Sequence, residues 1–218
     1  MAESKASLLT AAAEEFAQYG LRGARIQAIV KRAGVNERMI YHHFGSKEGL
    51  YRAVLTDQMA ALHDAWSPAL QKARDLTPYE GVAAALDAFA AGLASRPVLI
   101  GLWLHESLGG WQTLPLPSAD TLPAELRELY ERGQREGVFR GDCPFEIAYG
   151  IAMSALIGGA VLARRGDALA EDKGIDFSAP ETRRLVLEQL LDGMTGPGRT
   201  HGQGEAVGGA QPRTTSAP

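Results

Sequence analysis

Glu37, Arg38, Met39, Tyr41, His42, His43 and Lys47 crowd one short stretch of the chain, with Ile40 and Phe44 set among them at a four-residue step. An apolar pair at that spacing marks the inward side of a helix and leaves the other side chains outward. Their types suit nucleic-acid contact. Arg38 can fork onto a guanine edge, Glu37 can accept from a cytosine amino group, and Met39 can meet a thymine methyl. Tyr41 and Lys47 have the reach for phosphates, and the first amides of a helix capped by Ser46 would add to them. The plain alternative is a three-helix packing unit with a solvated outer face.

Other chemistries fail on spacing. His105-Glu106 begins like a zinc-protease motif, but position 109 is glycine, so the second histidine is missing. His42 and His43 are adjacent, about 100° apart on a helix, which does not suit one ion. Phosphate-cradling loops with a lysine, strand-linked glycine fingerprints and G-x-S-x-G elbows are absent from the sequence. An enzyme, a cofactor and a metal are therefore not expected.

The elements that must hold the polar stretch are helical. Leu8, Leu9, Ala12, Ala13, Phe16 and Ala17 form one apolar stripe that ends at Gly20. A short helix follows over Arg25–Ala33, with Ile26, Ile29, Val30 and Ala33 on one side and Gly34 placed for a left-handed cap. Asn36 can cap the next helix, which Gly45 ends. Ser46 starts a longer helix through Leu50, Val54, Met59 and Leu62, expected to stop before Pro68 or a little later. Helix, Ala33-Gly34-Val35 turn, helix is the helix-turn-helix arrangement, whose second helix can enter a major groove. Further helical patterns cover about 78–95, 97–110, 122–136, 144–165 and 179–195, with Pro97, Pro123 and Pro144 near their starts. Leu114–Ser118 and Gly166–Ser178 read as loops. The tail 196–218 holds six glycines and three prolines, and is expected to be disordered. Strand-like alternation does not occur, so the fold class is all-α.

Charge sharpens the picture. The net charge of the 218 residues is −4, yet Leu21–Lys47 carries +5 and residues 1–50 carry +2, leaving −6 for the rest. A basic segment on an acidic body points to a local anionic partner. The single cysteine, Cys143, excludes an intrachain disulfide and an all-cysteine cluster. Met1–Lys5 carries no basic run leading into an apolar one, and no stretch approaches the ~20 uninterrupted apolar residues of a membrane span. A cytoplasmic protein without a membrane partner is the expectation.

The run from Phe16 to Leu50 carries Ile29-Val30, Ala33-Gly34-Val35-Asn36 and Ile40-Tyr41-His42-His43-Phe44-Gly45-Ser46-Lys47-Glu48. It resembles the N-terminal domain of TetR-family transcriptional regulators. A weaker likeness lies at Gly133, Glu136-Gly137-Val138-Phe139-Arg140 and Asp142. The resemblance implies an all-α homodimer with a helix-turn-helix DNA-binding domain at 1–48 and a ligand-binding and dimerisation domain at 49–195. It places Arg25, Tyr41, His43 and Lys47 toward the DNA backbone, and Glu37, Arg38, Met39 and His42 toward bases. Two positions depart from the family pattern. Ala24-Arg25 stands where a capping threonine is usual, so the cap is weaker or comes from another group. Arg38 stands where a small residue is common, which should change the preferred operator.

The remaining residues then need a role. Trp66, Phe89, Trp103, Trp111, Tyr130, Tyr149 and Met153 are candidates to line a cavity for a small, mainly apolar or aromatic effector, with His105 and Glu106 beside them. Glu106 could pair with a cationic ligand. The competing reading of each is plain core. Ile147–Ala163 is strongly apolar, and Gly158-Gly159 permits close helix approach. Leu156, Gly158, Gly159, Val186 and Leu190 are candidates for a four-helix dimer interface, against an ordinary buried helix. The expected function is an effector-responsive repressor of a palindromic double-stranded DNA operator. The alternative is a small-molecule binding or interaction protein whose N-terminal helices do not read DNA.

Overall fold

The computed structural model describes residues 2–114, 122–163, 176–177 and 179–195. The tail 196–218 and most of both expected loops lie outside the described residues. Among those described, every regular element is a helix: α1 (Ala2–Gly23), α2 (Ile26–Ala33), α3 (Arg38–Phe44), α4 (Lys47–Ala73), α5 (Pro78–Ala94), α6 (Pro97–Gly109), α7 (Ala124–Arg135), α8 (Phe145–Ala163) and α9 (Pro180–Met194).

The helix ends follow local chemistry. Gly20 breaks α1 at φ 65°, and Gly34 closes α2 at φ 68°, its amide donating to the Val30 carbonyl. Asn36 Oδ1 accepts from the Arg38 amide at 2.9 Å, capping α3 one residue ahead of its first regular turn. Ser46 Oγ accepts from the Gly49 amide at 3.0 Å and starts α4. The cap missing from α2 is supplied across helices: Glu15 of α1, 3% exposed, accepts from the Arg25 amide at 3.0 Å. Arg32, in the last turn of α2, returns to α1, where it donates to the Ala11 carbonyl and lies 3.4 Å from Glu14. Both ends of α2 are thus pinned to α1.

Two apolar cores share α4. The first gathers Leu8, Ala12, Phe16, Ile29, Ile40, Leu50, Tyr51 and Val54, with Phe16 and Tyr51 edge to face at 4.9 Å. The second runs from Leu62 and Trp66 through Val82, Leu86, Phe89, Leu129, Tyr130, Phe145 and Ala152 to Leu191. Helix α4 does not stop at Pro68. The proline sits on the exposed side, while burial of Trp66, Leu70 and Ala73 carries the helix on despite the hydrogen bond that the ring removes.

Helix α6 also joins the cores. Val98 and Leu102 pack into the first, Leu99 and Ile100 into the second. It leaves α5 at 89° and lies along α1, where a Cβ at Gly20 would stand 2.8 Å from His105 Nδ1. One residue on, Glu106 is 5% exposed and accepts from the Thr113 and Leu114 amides at 2.9 and 3.0 Å. Burial first, then the adjacent Glu106 carboxylate, pushes the Tyr51 phenol well above its ordinary pKa.

The turn after α7 depends on close approach. Phe139 lies over Gly133, where a Cβ would overlap its ring, and the Val138 and Phe139 amides both donate to the Gly133 carbonyl. The Arg140 amide then donates to the Met194 carbonyl and ties this turn to the end of α9. Helix α8 is the strongly apolar segment expected over Ile147–Ala163. Its 19 residues, with mean hydropathy 1.7, are long and apolar enough to cross a membrane. The helix instead packs Ala148, Ala152, Met153 and Leu156 into the second core and leaves Ile147 and Ile151 exposed.

Candidate nucleic-acid interface and effector cleft

The short turn between α2 and α3 fixes the candidate face. Ile29, Val30 and Ile40 are buried beneath it, with Val35 and Phe44 packed at the margin. Arg38, Tyr41 and His42 project to solvent, and Lys47 is half-buried at the start of α4. Met39 is half-buried against the first core, so its side chain is shared between core and surface. The His43 ring is also half-buried, with Nε2 enclosed and unpartnered. Arg25 is exposed at the N-cap of α2. Of the basic residues that make the segment cationic, Arg32 is turned away onto α1.

One member of this face escaped the sequence reading. Gln27, exposed in the first turn of α2, donates from Nε2 to Glu37 Oε2 at 2.6 Å. The Tyr41 hydroxyl points at the other carboxylate oxygen from 3.4 Å. A glutamine in the first turn of a short helix gives little signal in sequence, because such positions are usually just solvated.

The second core holds a small apolar cleft, with room for about one water molecule, lined by Val82, Leu86, Leu126, Tyr130, Phe145, Ala148, Tyr149, Ala152 and Met194. Tyr130 and Tyr149 are the sequence candidates that reach it. Tyr130 donates its hydroxyl to the Cys143 carbonyl at 3.2 Å and stacks on Phe139. Burial raises the Tyr149 phenol to about 12. The others sit elsewhere. Trp66 and Phe89 pack against each other in the core, and Trp66 Nε1 donates to the Ala85 carbonyl at 2.7 Å. Met153 is core as well, and Trp103 lies at its edge. His105 and Glu106 belong to the junction with α1, and Glu106 is occupied by loop amides. Trp111 is not helical; it follows Gly110 in the turn after α6, at φ 56°.

On the outer side, Ile147, Ile151, Ser154, Gly158 and Leu162 make one stripe at helical spacing along α8, half-buried at Gly158 and exposed elsewhere. Gly159, Val186 and Leu190 are half-buried beside it, whereas Leu156 faces inward and is buried in the second core.

A model of the bacterial regulatory proteins of the tetR family matches residues 8–54. The HTH-type transcriptional repressor NicS of Pseudomonas putida is 34% identical over 151 residues, covering 66% of this chain and 69% of that protein. This chain belongs to the TetR family. The HTH-type transcriptional repressor SCO4008 of Streptomyces coelicolor agrees, at 33% identity over 65% of this chain and 70% of that one. A solved TetR-family transcription regulator from Marinobacter aquaeolei shares the fold with a TM-score of 0.65 at 17% identity, covering 88% of this chain and 95% of that one. The TetR-family protein described here is accordingly a DNA-binding transcriptional regulator and not an enzyme.

Proposed function

We propose that this regulator is a homodimeric repressor that leaves a palindromic operator when a small, mainly apolar or aromatic effector enters the cleft of the second core. The observation that carries the reading is the exposed Arg38, Tyr41 and His42 row on α3, beside the Ser46-capped start of α4. Residues 1–48 form the reading head and 49–195 the effector and dimerisation body. Arg38, His42 and the surface part of Met39 face bases, as does Glu37. Arg25, Tyr41, His43 and Lys47 face phosphates. Two heads must meet half-sites about 34–36 Å apart, or a multiple of that, which calls for a second copy against the α8 stripe.

The cleft has room for about one water molecule, far below the roughly 300–1,000 Å³ of a drug-sized ligand site. An effector must therefore widen it, and α4, which carries both cores, transmits the shift to the heads. The ligand releases DNA only by binding the widened state more tightly; a ~100-fold coupling is about 2.7 kcal/mol. Fluorescence anisotropy on DNA from upstream of its own coding region, against a scrambled duplex at ~0.15 M salt, tests the reading. A preference of about 10³-fold or more is expected, and equal binding to both duplexes would refute it for that DNA.

Two variants divide the contacts. Lys47→Ala should weaken binding to every duplex about equally and lower the salt slope by about 1 per reading head. An unchanged slope would remove Lys47 from the phosphate contacts. Arg38→Ala should relax preference at one position per half-site by about 1–3 kcal/mol, and equal losses on all sequences would exclude base reading.

A further inference from the structure

We propose that Gln27 is a positioning residue of the reading surface, holding the Glu37 carboxylate where it accepts from the amino group of a cytosine. The inference rests on the DNA-reading role above and assigns a division of labour within it. Three observations carry it. The Glu37 side chain does not cap its own helix: Glu37 is the N-cap of α3 without a side-chain cap bond, and Asn36 Oδ1 takes the Arg38 amide instead. Its carboxylate is fixed from the neighbouring helix by the 2.6 Å bond from Gln27 Nε2, with the Tyr41 hydroxyl turned to the other oxygen. The Gln27 amide is neutral, so it orients the charge without cancelling it, and it holds the carboxylate alone once the Tyr41 hydroxyl leaves its 3.4 Å contact to donate to a phosphate.

Chemistry then names the partner. Glu37 is the sole acid between Leu21 and Lys47, and a carboxylate near DNA phosphates is unfavourable unless it meets a donor. The start of a reading helix lies against base edges, whereas the preceding helix crosses the backbone. Glu37 therefore reaches bases and Gln27 stands behind it. The donors in a major groove are the adenine and cytosine amino groups. The adenine amino group adjoins the N7 acceptor, which repels a carboxylate; cytosine has only a C–H beside its amino group. Without Gln27, the carboxylate would have to be immobilised at the moment of binding, at a cost in discrimination.

The test is the base preference of the full-length protein on a half-site library with each position varied, together with melting temperatures. Wild type is expected to favour cytosine at one position per half-site by roughly 5- to 150-fold. Glu37→Ala should abolish that preference. Gln27→Ala should reduce it at the same position by about threefold or more, with other positions and the melting temperature unchanged, and add nothing in the Glu37→Ala background. A Gln27→Ala effect at a different position, or one that persists without Glu37, would show that Gln27 reads DNA itself and overturn the proposal. So would an unchanged preference in either single variant, or a preference for adenine lost with Glu37. A wild type with no preference at any position overturns the regulator reading as well, which separates the two failures.

Discussion

Glu106→Ala is expected to lower stability by about 3 kcal/mol, the summed effect of charge-assisted bonds lost and buried donors left unsatisfied. In a domain of this size that is a fall of roughly 6–12 °C in melting temperature. Glu106 stands in the last turn of α6, where the helix dipole disfavours a negative charge. The opposing force is the pair of amides from Thr113 and Leu114, which the chain can aim back only by reversing through Gly110 and Trp111, both at positive φ. A tryptophan in that region is itself strained, by about 1–2 kcal/mol. Removing the carboxylate leaves the strain without its reward, and leaves Tyr51 without its acidic neighbour. Glu106→Gln keeps one acceptor oxygen and should lose less. Thermal unfolding of the three proteins decides the matter; a Glu106→Ala protein within about 1 °C of wild type would show that the turn is held by other contacts.

The second large effect concerns the outer stripe of α8. Ile147 and Ile151 are 55% and 57% exposed in the single chain and lie one helical turn apart. Changing both to glutamate should leave the helix content of the protomer intact. If a second copy covers this face, four buried carboxylates will prevent association, and sedimentation should give the mass of one chain. Operator affinity should then fall by roughly 10²–10⁴-fold, the advantage of joining two half-site contacts. A double variant that keeps the wild-type mass would place the partner copy on another surface.

The first core was legible because its signals are local. Gly20, Gly34, Asn36 and Ser46 punctuate short helices, and the apolar steps between them leave one arrangement. The reading face was only partly legible. Outward positions on α3 follow from Ile40 and Phe44, but the hold of Gln27 on Glu37 is a contact between helices that no periodicity encodes. The same holds for Glu15, whose carboxylate replaces the missing cap of α2 from ten residues away. The body was least legible. Aromatic type alone does not separate Trp66, bonded to a backbone carbonyl in the core, from Tyr149, which reaches the cleft. The smaller lining residues Val82, Ala148 and Ala152 carry no signal of their own in sequence, since a cleft is defined by how helices diverge.

The close approach of His105 to Gly20 bears on attempts to graft reading heads between relatives for use as biosensors. A head cut at the start of α4 carries position 20 with it but leaves position 105 behind on the recipient body. Any donor with a larger residue at position 20 would collide with a histidine there, and any recipient with a smaller residue at 105 would leave a gap beside this glycine. Such hybrids should therefore be chosen, or repaired, with these two positions matched as a pair, so that the transplanted head keeps its mechanical grip on the body that commands it.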